Sequence, residues 1–167
     1  MGAFTYPRSE PGSGGHEDLI EALNAITQQL KIEVDGIADA AATTRRSDDE
    51  WSLKQIAAHL CDNARSLHER LFMIINLEQP LLPSWDQFEE FEKRKPDDAL
   101  LSDLVNEFSV QRSETVYMLA DLVHWNWART GRHEERGRLS IRQLIDLALE
   151  HEAAHIEQVR ACRAAVA

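Results

Sequence analysis

Two histidines stand four residues apart near the C-terminus, in the string His151-Glu152-Ala153-Ala154-His155. On a helix this spacing stacks both imidazoles on one face, one turn apart, where both can donate to a single metal ion. The string also fits the HExxH pattern of zinc peptidases, in which the intervening glutamate serves as base. A peptidase of that kind needs a third ligand well downstream and an edge strand to align its substrate. Only twelve residues follow His155 and none is a histidine, while Glu157, two positions on, points away from the ligand face. No segment of the chain reads as an alternating strand. The pair is therefore read as a metal site of another kind.

The elements that would position this pair supply a third histidine. Ile141, Leu144, Ile145 and Ala148 recur at three- and four-residue steps, and His151 and His155 continue their stripe, which faces a core. Neighbouring imidazoles on such a face require hydrogen-bond partners or a metal. The helix opens at Ser140, whose spacing to Gln143 is a capping box. An earlier helix opens the same way, at Ser52 with Gln55, and carries His59 three residues after Ile56 in the inward sector. Three histidines from two facing helices would leave an open coordination position, the arrangement of catalytic rather than structural sites. The competing reading is a metal-free bundle in which the histidines satisfy one another, since a core histidine is ordinarily a packing residue.

Around these two helices the periodicity predicts two more. A first runs over residues 16–39 through Leu19, Leu23, Ile26, Leu30, Val34 and Ile37, and a third over residues 97–122 through Leu101, Leu104, Val105, Phe108, Val116 and Leu119. The second helix, after Ser52, ends before Pro80 and Pro83. The expected fold is all-α, a four-helix bundle with long connections between helices 2 and 3 and between helices 3 and 4. The long second connection permits two consecutive helices to run parallel. Trp85, Phe88 and Phe91 are expected to fold the first of these connections against the bundle, and Trp125 and Trp127 to cover its end. Residues 1–15, rich in Gly, Ser and Pro, read as a flexible tail, and residues 16–167 as one bundle domain.

Composition narrows the function classes. A formal net charge of −11 disfavours nucleic acid, whose phosphates require a basic footprint, and the arginines 129, 132, 136 and 138 are interrupted by Glu134 and Glu135. No apolar run reaches membrane-spanning length and no signal-peptide core is present, so the expectation is a cytoplasmic protein without a membrane partner. Cys61 and Cys162 form no CxxC pair and read as small buried hydrophobes.

Other polar residues are candidates for roles beside the histidines. Glu152, about 100° around the helix from His151, could be a general base or an interhelical carboxylate. Asp62 and Gln158 could each orient an imidazole through its free nitrogen. Asn63 shares a side with His59 and could line the pocket, and Arg112 could clamp an anion or form a salt bridge. His68, His124 and His133 are less well placed to ligate, and His16 is expected to be exposed.

Trp51-Ser52-Leu53-Lys54-Gln55-Ile56-Ala57-Ala58-His59-Leu60, the stretch Gly137-Arg138-Leu139-Ser140 and the terminal His151-x3-His155-x2-Gln158, in this order and separation, resemble the DinB/YfiT-like superfamily. The likeness runs from the first helix to the C-terminus. It implies a four-helix bundle holding a divalent metal, often zinc or nickel, through three histidines, which here are His59, His151 and His155. Some members are transferases or isomerases that use the low-molecular-weight thiols bacillithiol or mycothiol, and many are regarded as metal-dependent hydrolases. The function expected from the resemblance is a metal-dependent enzyme, hydrolase or thiol-dependent transferase, acting on an unidentified small molecule. The alternative is a non-catalytic bundle that binds a metal or small ligand or dimerises, and a homodimer is the base-rate expectation.

Overall fold

A computed structural model describes residues 16–84 and 87–166. Its elements are α1 (His16–Val34), α2 (Leu53–Asn76), β1 (Leu81–Leu82), α3 (Gln87–Arg94), α4 (Leu101–Ala120), β2 (Thr130–His133), β3 (Gly137–Ser140) and α5 (Ile141–Val166). The tail expected over residues 1–15 lies outside the described residues, as do Trp85 and the side chains of Phe88 and His124. None of the described helices is long and apolar enough to cross a membrane.

The four long helices form a bundle in which α1 and α2 each pack between α4 and α5 and so sit on opposite corners. Their directions follow from which ends meet. Arg160 and Arg163, late in α5, bond Glu33 and the Ile32 carbonyl at the end of α1, so these helices run parallel. Cys162 Sγ, also late in α5, lies 3.6 Å from the Trp51 carbonyl ahead of α2, so α2 and α5 run antiparallel. Along α2 and α4 the contacts advance together: Cys61 donates to the Leu104 carbonyl at 3.1 Å, and His68 meets Thr115 at 3.0 Å. Consecutive long helices α2 and α4 are therefore parallel, and the chain must climb back along the bundle between them. A helix of 24 residues such as α2 is about 36 Å long, so that return accounts for the length of the connection over residues 77–100.

Three elements differ from the sequence reading. First, the connections are not structureless: β1 pairs parallel with β2, and β2 antiparallel with β3, in the order β1-β2-β3. The bundle therefore carries a small sheet and a short fifth helix, α3. Second, α1 stops at Val34, because Gly36 takes φ 76°, a left-handed turn that ends a helix. Third, α4 starts four residues later than the periodicity suggests. Its first free N–H, that of Leu101, is bonded at 2.8 Å by the Asp39 carboxylate from the connection after α1.

The sheet is clamped to the end of α2. Arg129 donates through Nε to the Ile74 carbonyl at 2.8 Å and through Nη2 to that of Leu77 at 2.7 Å, serving the carbonyls that a helix end leaves open. Gly131 lies so close to the helix that a Cβ there would come within 2.8 Å of Leu82 and 2.9 Å of Ile74, both fully buried. Trp127 is buried and stacks on His16 at 4.2 Å, so His16 is a covered ring rather than an exposed one. Trp125, by contrast, is 74% exposed rather than packed over the bundle end.

Candidate metal centre

The capping boxes foreseen at both helix starts are present and set the register of the site. Ser52 N–H donates to Gln55 Oε1 at 2.9 Å, and Gln55 N–H to Ser52 Oγ at 3.3 Å. The pair Ser140 and Gln143 repeats this at 2.9 and 3.2 Å. With α2 and α5 entering in fixed phase, His59, His151 and His155 meet on their facing sides. One ring nitrogen from each lies within 4.8 Å of the others. His151 Nε2 is 3.0 Å from His59 Nε2 and 3.1 Å from His155 Nε2. Ligand nitrogens around a tetrahedral zinc are about 3.3 Å apart, given bonds of about 2.0–2.1 Å. The two pairs that involve His151 are closer than that by about 0.3 Å, which small ring rotations can open.

The donor set suits a cation. Gln158 Oε1 lies 2.8 Å from His155 Nδ1 and can only accept, so that nitrogen carries the proton and the His155 Nε2 lone pair faces the cluster. Asn63 Nδ2, 3.0 Å from His59 Nε2, marks the latter as an acceptor too. Two lone pairs are thus aimed at one point, with at most one proton, on His151, to share between them. Burial is the main cause that pushes the His59 pKa down to about 3, the other two imidazoles adding to it. Desolvation likewise lowers His151 and His155. Neutral rings of this kind are the form that ligates.

Access is one-sided. His59 and His155 are 2% and 8% exposed, whereas His151 is open to solvent. A cavity of about 550 Å³ reaches all three rings and is also lined by Trp51, Gln158 and Cys162. Trp51 walls the centre, lying edge-on to His59 at 4.9 Å and parallel to His155 at 5.9 Å, and it is itself stacked at 5.0 Å on Phe91 of α3. This aromatic wall escaped the sequence reading. The one available signal was its place directly ahead of the Ser52 cap, where a side chain is held against the first turn.

The remaining candidates fall in different places. Asn63 touches the cluster-facing Nε2 of His59, and Gln158 the outer Nδ1 of His155, as stated. Asp62 does not reach an imidazole: its carboxylate bonds Arg94 at 2.5 and 3.0 Å and Arg65 at 3.4 Å, in a network with Glu107 that ties α2 to α3 and α4. Arg112 is no anion clamp. Its guanidinium is 1% exposed, lies 5.1 Å over the Phe108 ring and gives Nη2 to both Glu152 oxygens at 2.6 Å. Glu152 is consequently an interhelical carboxylate committed to Arg112, not an open base; burial raises its pKa and Arg112 opposes the rise. His68 is held by Thr115, and His133 lies on β2 and is not one of the three clustered histidines. Cys61 and Cys162 are buried, as the sequence suggested.

Comparison with known proteins agrees with this architecture. YfiT from Bacillus subtilis, described as a probable metal-dependent hydrolase with an unusual four-helix bundle topology, has a TM-score of 0.83 at 19% identity, over 95% of this chain and 91% of that one. A mutant of mycothiol-dependent maleylpyruvate isomerase has a TM-score of 0.71 at 10% identity, over 85% of this chain and 59% of that protein. Likeness at such identities speaks to the fold. Among curated proteins, none matches the sequence. The sequence profile of the DinB superfamily matches residues 17–159, the stretch that holds both capping boxes and all three histidines, and the chain belongs to the DinB superfamily.

Proposed function

We propose that this protein is a metal-dependent enzyme in which His59, His151 and His155 hold one divalent cation, with zinc and nickel the first metals to test. The observation that carries the reading is the convergence of three neutral imidazole nitrogens at the wall of an open cavity. A divalent ion there would acidify a water or a thiol in its open position, the chemistry of a hydrolase or of a thiol-dependent transferase. The structural neighbours, one described as a hydrolase and one as a thiol-dependent isomerase, support both chemistries as candidates.

The chain's own residues prepare the site. Gln158 fixes the tautomer of His155, so no proton has to move before its lone pair is used. Trp51 and Phe91 exclude water from the buried side of His59 and His155, which leaves the solvent-open His151 side for reactants. Asn63 aims an N–H at the point where the nitrogens meet. Once His59 is engaged elsewhere, that N–H is available to hold an oxygen or sulfur of the reacting group.

The test is elemental analysis of the purified, untagged protein beside a His59→Ala, His151→Ala double variant, each checked for helicity. Near-stoichiometric metal in the parent and none in the folded variant is the expected result. A parent that retains no metal after incubation with zinc or nickel and desalting would overturn the enzyme reading and leave a helical binding module. Specific binding must also raise the thermal midpoint of the parent alone.

A further inference from the structure

A second cavity, of about 430 Å³, opens on the other side of His151, between α2, α5 and the β2–β3 hairpin. Its polar lining includes Asn63, Arg70, His133 and Arg136, and its floor is apolar, with Leu67, Leu139 and Leu144. His151 belongs to the walls of both cavities, so a ligand in the second reaches the open edge of the three-histidine centre.

We propose that this cavity is an oxyanion subsite, which seats the carboxylate or phosphate end of a small substrate through Arg70, Arg136 and His133 and directs its other end to the metal centre. The location relative to a metal rests on the proposed function; the anion site itself does not.

Three observations carry the inference. First, the two guanidinium groups lack carboxylate partners among the described residues. Arg70 gives Nε and Nη2 to the Pro83 carbonyl at 3.3 and 2.8 Å, which fixes the plane of its fork and leaves Nη1 unused. Arg46, Arg65, Arg94, Arg112 and Arg160 all form ion pairs. In a chain of net charge −11, leaving a half-buried guanidinium without an anion is a desolvation cost with no return, and burial indeed lowers the pKa of Arg70. Second, the hairpin turn sets the polarity of His133. The backbone N–H groups of Glu135 and Arg136 donate to its Nδ1 at 3.2 and 3.3 Å, so the neutral ring carries its proton on Nε2 and is a donor there. Burial and then the charge of Arg70 hold this ring neutral; Glu135 opposes them and Arg136 adds more weakly, which places these groups in one electrostatic neighbourhood. Third, the buried carboxylate in the same wall, Glu152, is committed to Arg112, while Glu135 on the turn is exposed to solvent, as Arg136 is. A lining that holds both N–H donors and leucines suits a ligand with an oxyanion head and an apolar body.

The test titrates succinate and, separately, inorganic phosphate into the purified protein in chloride buffer, following backbone and imidazole resonances of residues 130–140. Saturable shifts centred on His133 are expected. They should weaken at least about tenfold in Arg136→Gln, the loss that follows from removing a charge-assisted bond, and stay unchanged in Arg138→Gln on the same hairpin. Preference between the two probes tells whether the head is a carboxylate or a phosphate. The same titration on a His59→Ala, His155→Ala variant, which keeps His151, separates the two proposals: retained anion binding upholds the subsite even if no metal is found. Absence of saturable shifts, or equal affinity in Arg136→Gln, would overturn it.

Discussion

Exchanging Arg112 for methionine removes the cation from a carboxylate that is itself 1% exposed. Arg112 and Glu152 lie on the diagonally opposed helices α4 and α5, with 2% and 1% of their side chains exposed and Nη2 at 2.6 Å from both carboxylate oxygens. Water cannot replace the lost guanidinium, and methionine roughly fills its stem, so the change isolates the charge. Breaking a buried pair from one side costs about 3–5 kcal/mol. For a chain of this size that corresponds to a fall of roughly 6–20 °C in thermal midpoint. The double variant Arg112→Met, Glu152→Leu should behave otherwise. Among the described residues, Arg112 Nε and Nη1 are buried without a hydrogen-bond partner, so the pair is incompletely satisfied even in the parent. Apolar replacement of both members is expected to be neutral or stabilising by about 1–4 kcal/mol. Urea unfolding at pH 7, followed by far-UV circular dichroism, measures both variants. A single variant within about 1 kcal/mol of the parent would show that the carboxylate is not desolvated, because only exposed pairs are that weak. A double variant as unstable as the single one would show that the pair contributes net stability.

Three further outcomes follow from other contacts. Gln158→Leu leaves His155 without its Nδ1 acceptor and should weaken zinc or nickel binding by about 10–100-fold in competition with a chelator, with little change in fold; undiminished affinity would mean that Gln158 does not orient the ligand. Gly131→Ala forces a Cβ into Leu82 and Ile74 and should cost about 1–3 kcal/mol in urea unfolding, whereas Gly36→Ala, with open space around it, is strained only by its backbone angle. Asp39 has a pKa held below the ordinary carboxylate value, first by Lys54 and then by the Leu101 N–H. Its contribution is therefore present above the unfolded-state pKa and is lost as pH falls through the depressed folded value. Asp39→Asn should accordingly be less stable than the parent from pH 5 to 8, with the gap closing only below about pH 4. A gap of the same size at pH 3 and pH 7 would count against this assignment.

Much of the site was legible because its determinants are local. The phase of His151 and His155 against Leu144, Ile145 and Ala148, and of His59 against Ile56, is a property of helical periodicity, and the two Ser-x-x-Gln boxes mark the starts that fix that phase. The DinB resemblance rests on these same residues. The strands were not legible for a corresponding reason. Thr130–His133 and Gly137–Ser140 show no apolar alternation, and β1 is two residues long. They become strands by pairing with one another, Leu81 with Arg132 across some fifty residues of chain.

Periodicity records which side of a helix is buried but not which neighbour buries it. The sequence by itself therefore determined the four long helices and the helical phase that brings His59, His151 and His155 together, although His151 is open to solvent rather than buried. Only the tertiary structure decided that α2 and α4 run parallel, that Asp39 caps a helix 62 residues away, and that Asp62 and Glu152 are taken up by Arg94 and Arg112. It also decided that Trp51 walls the centre and that Arg70 and Arg136 share a cavity beside His151. Each of these depends on side chains brought together by bundle packing, and contact between residues far apart in the chain leaves no local trace.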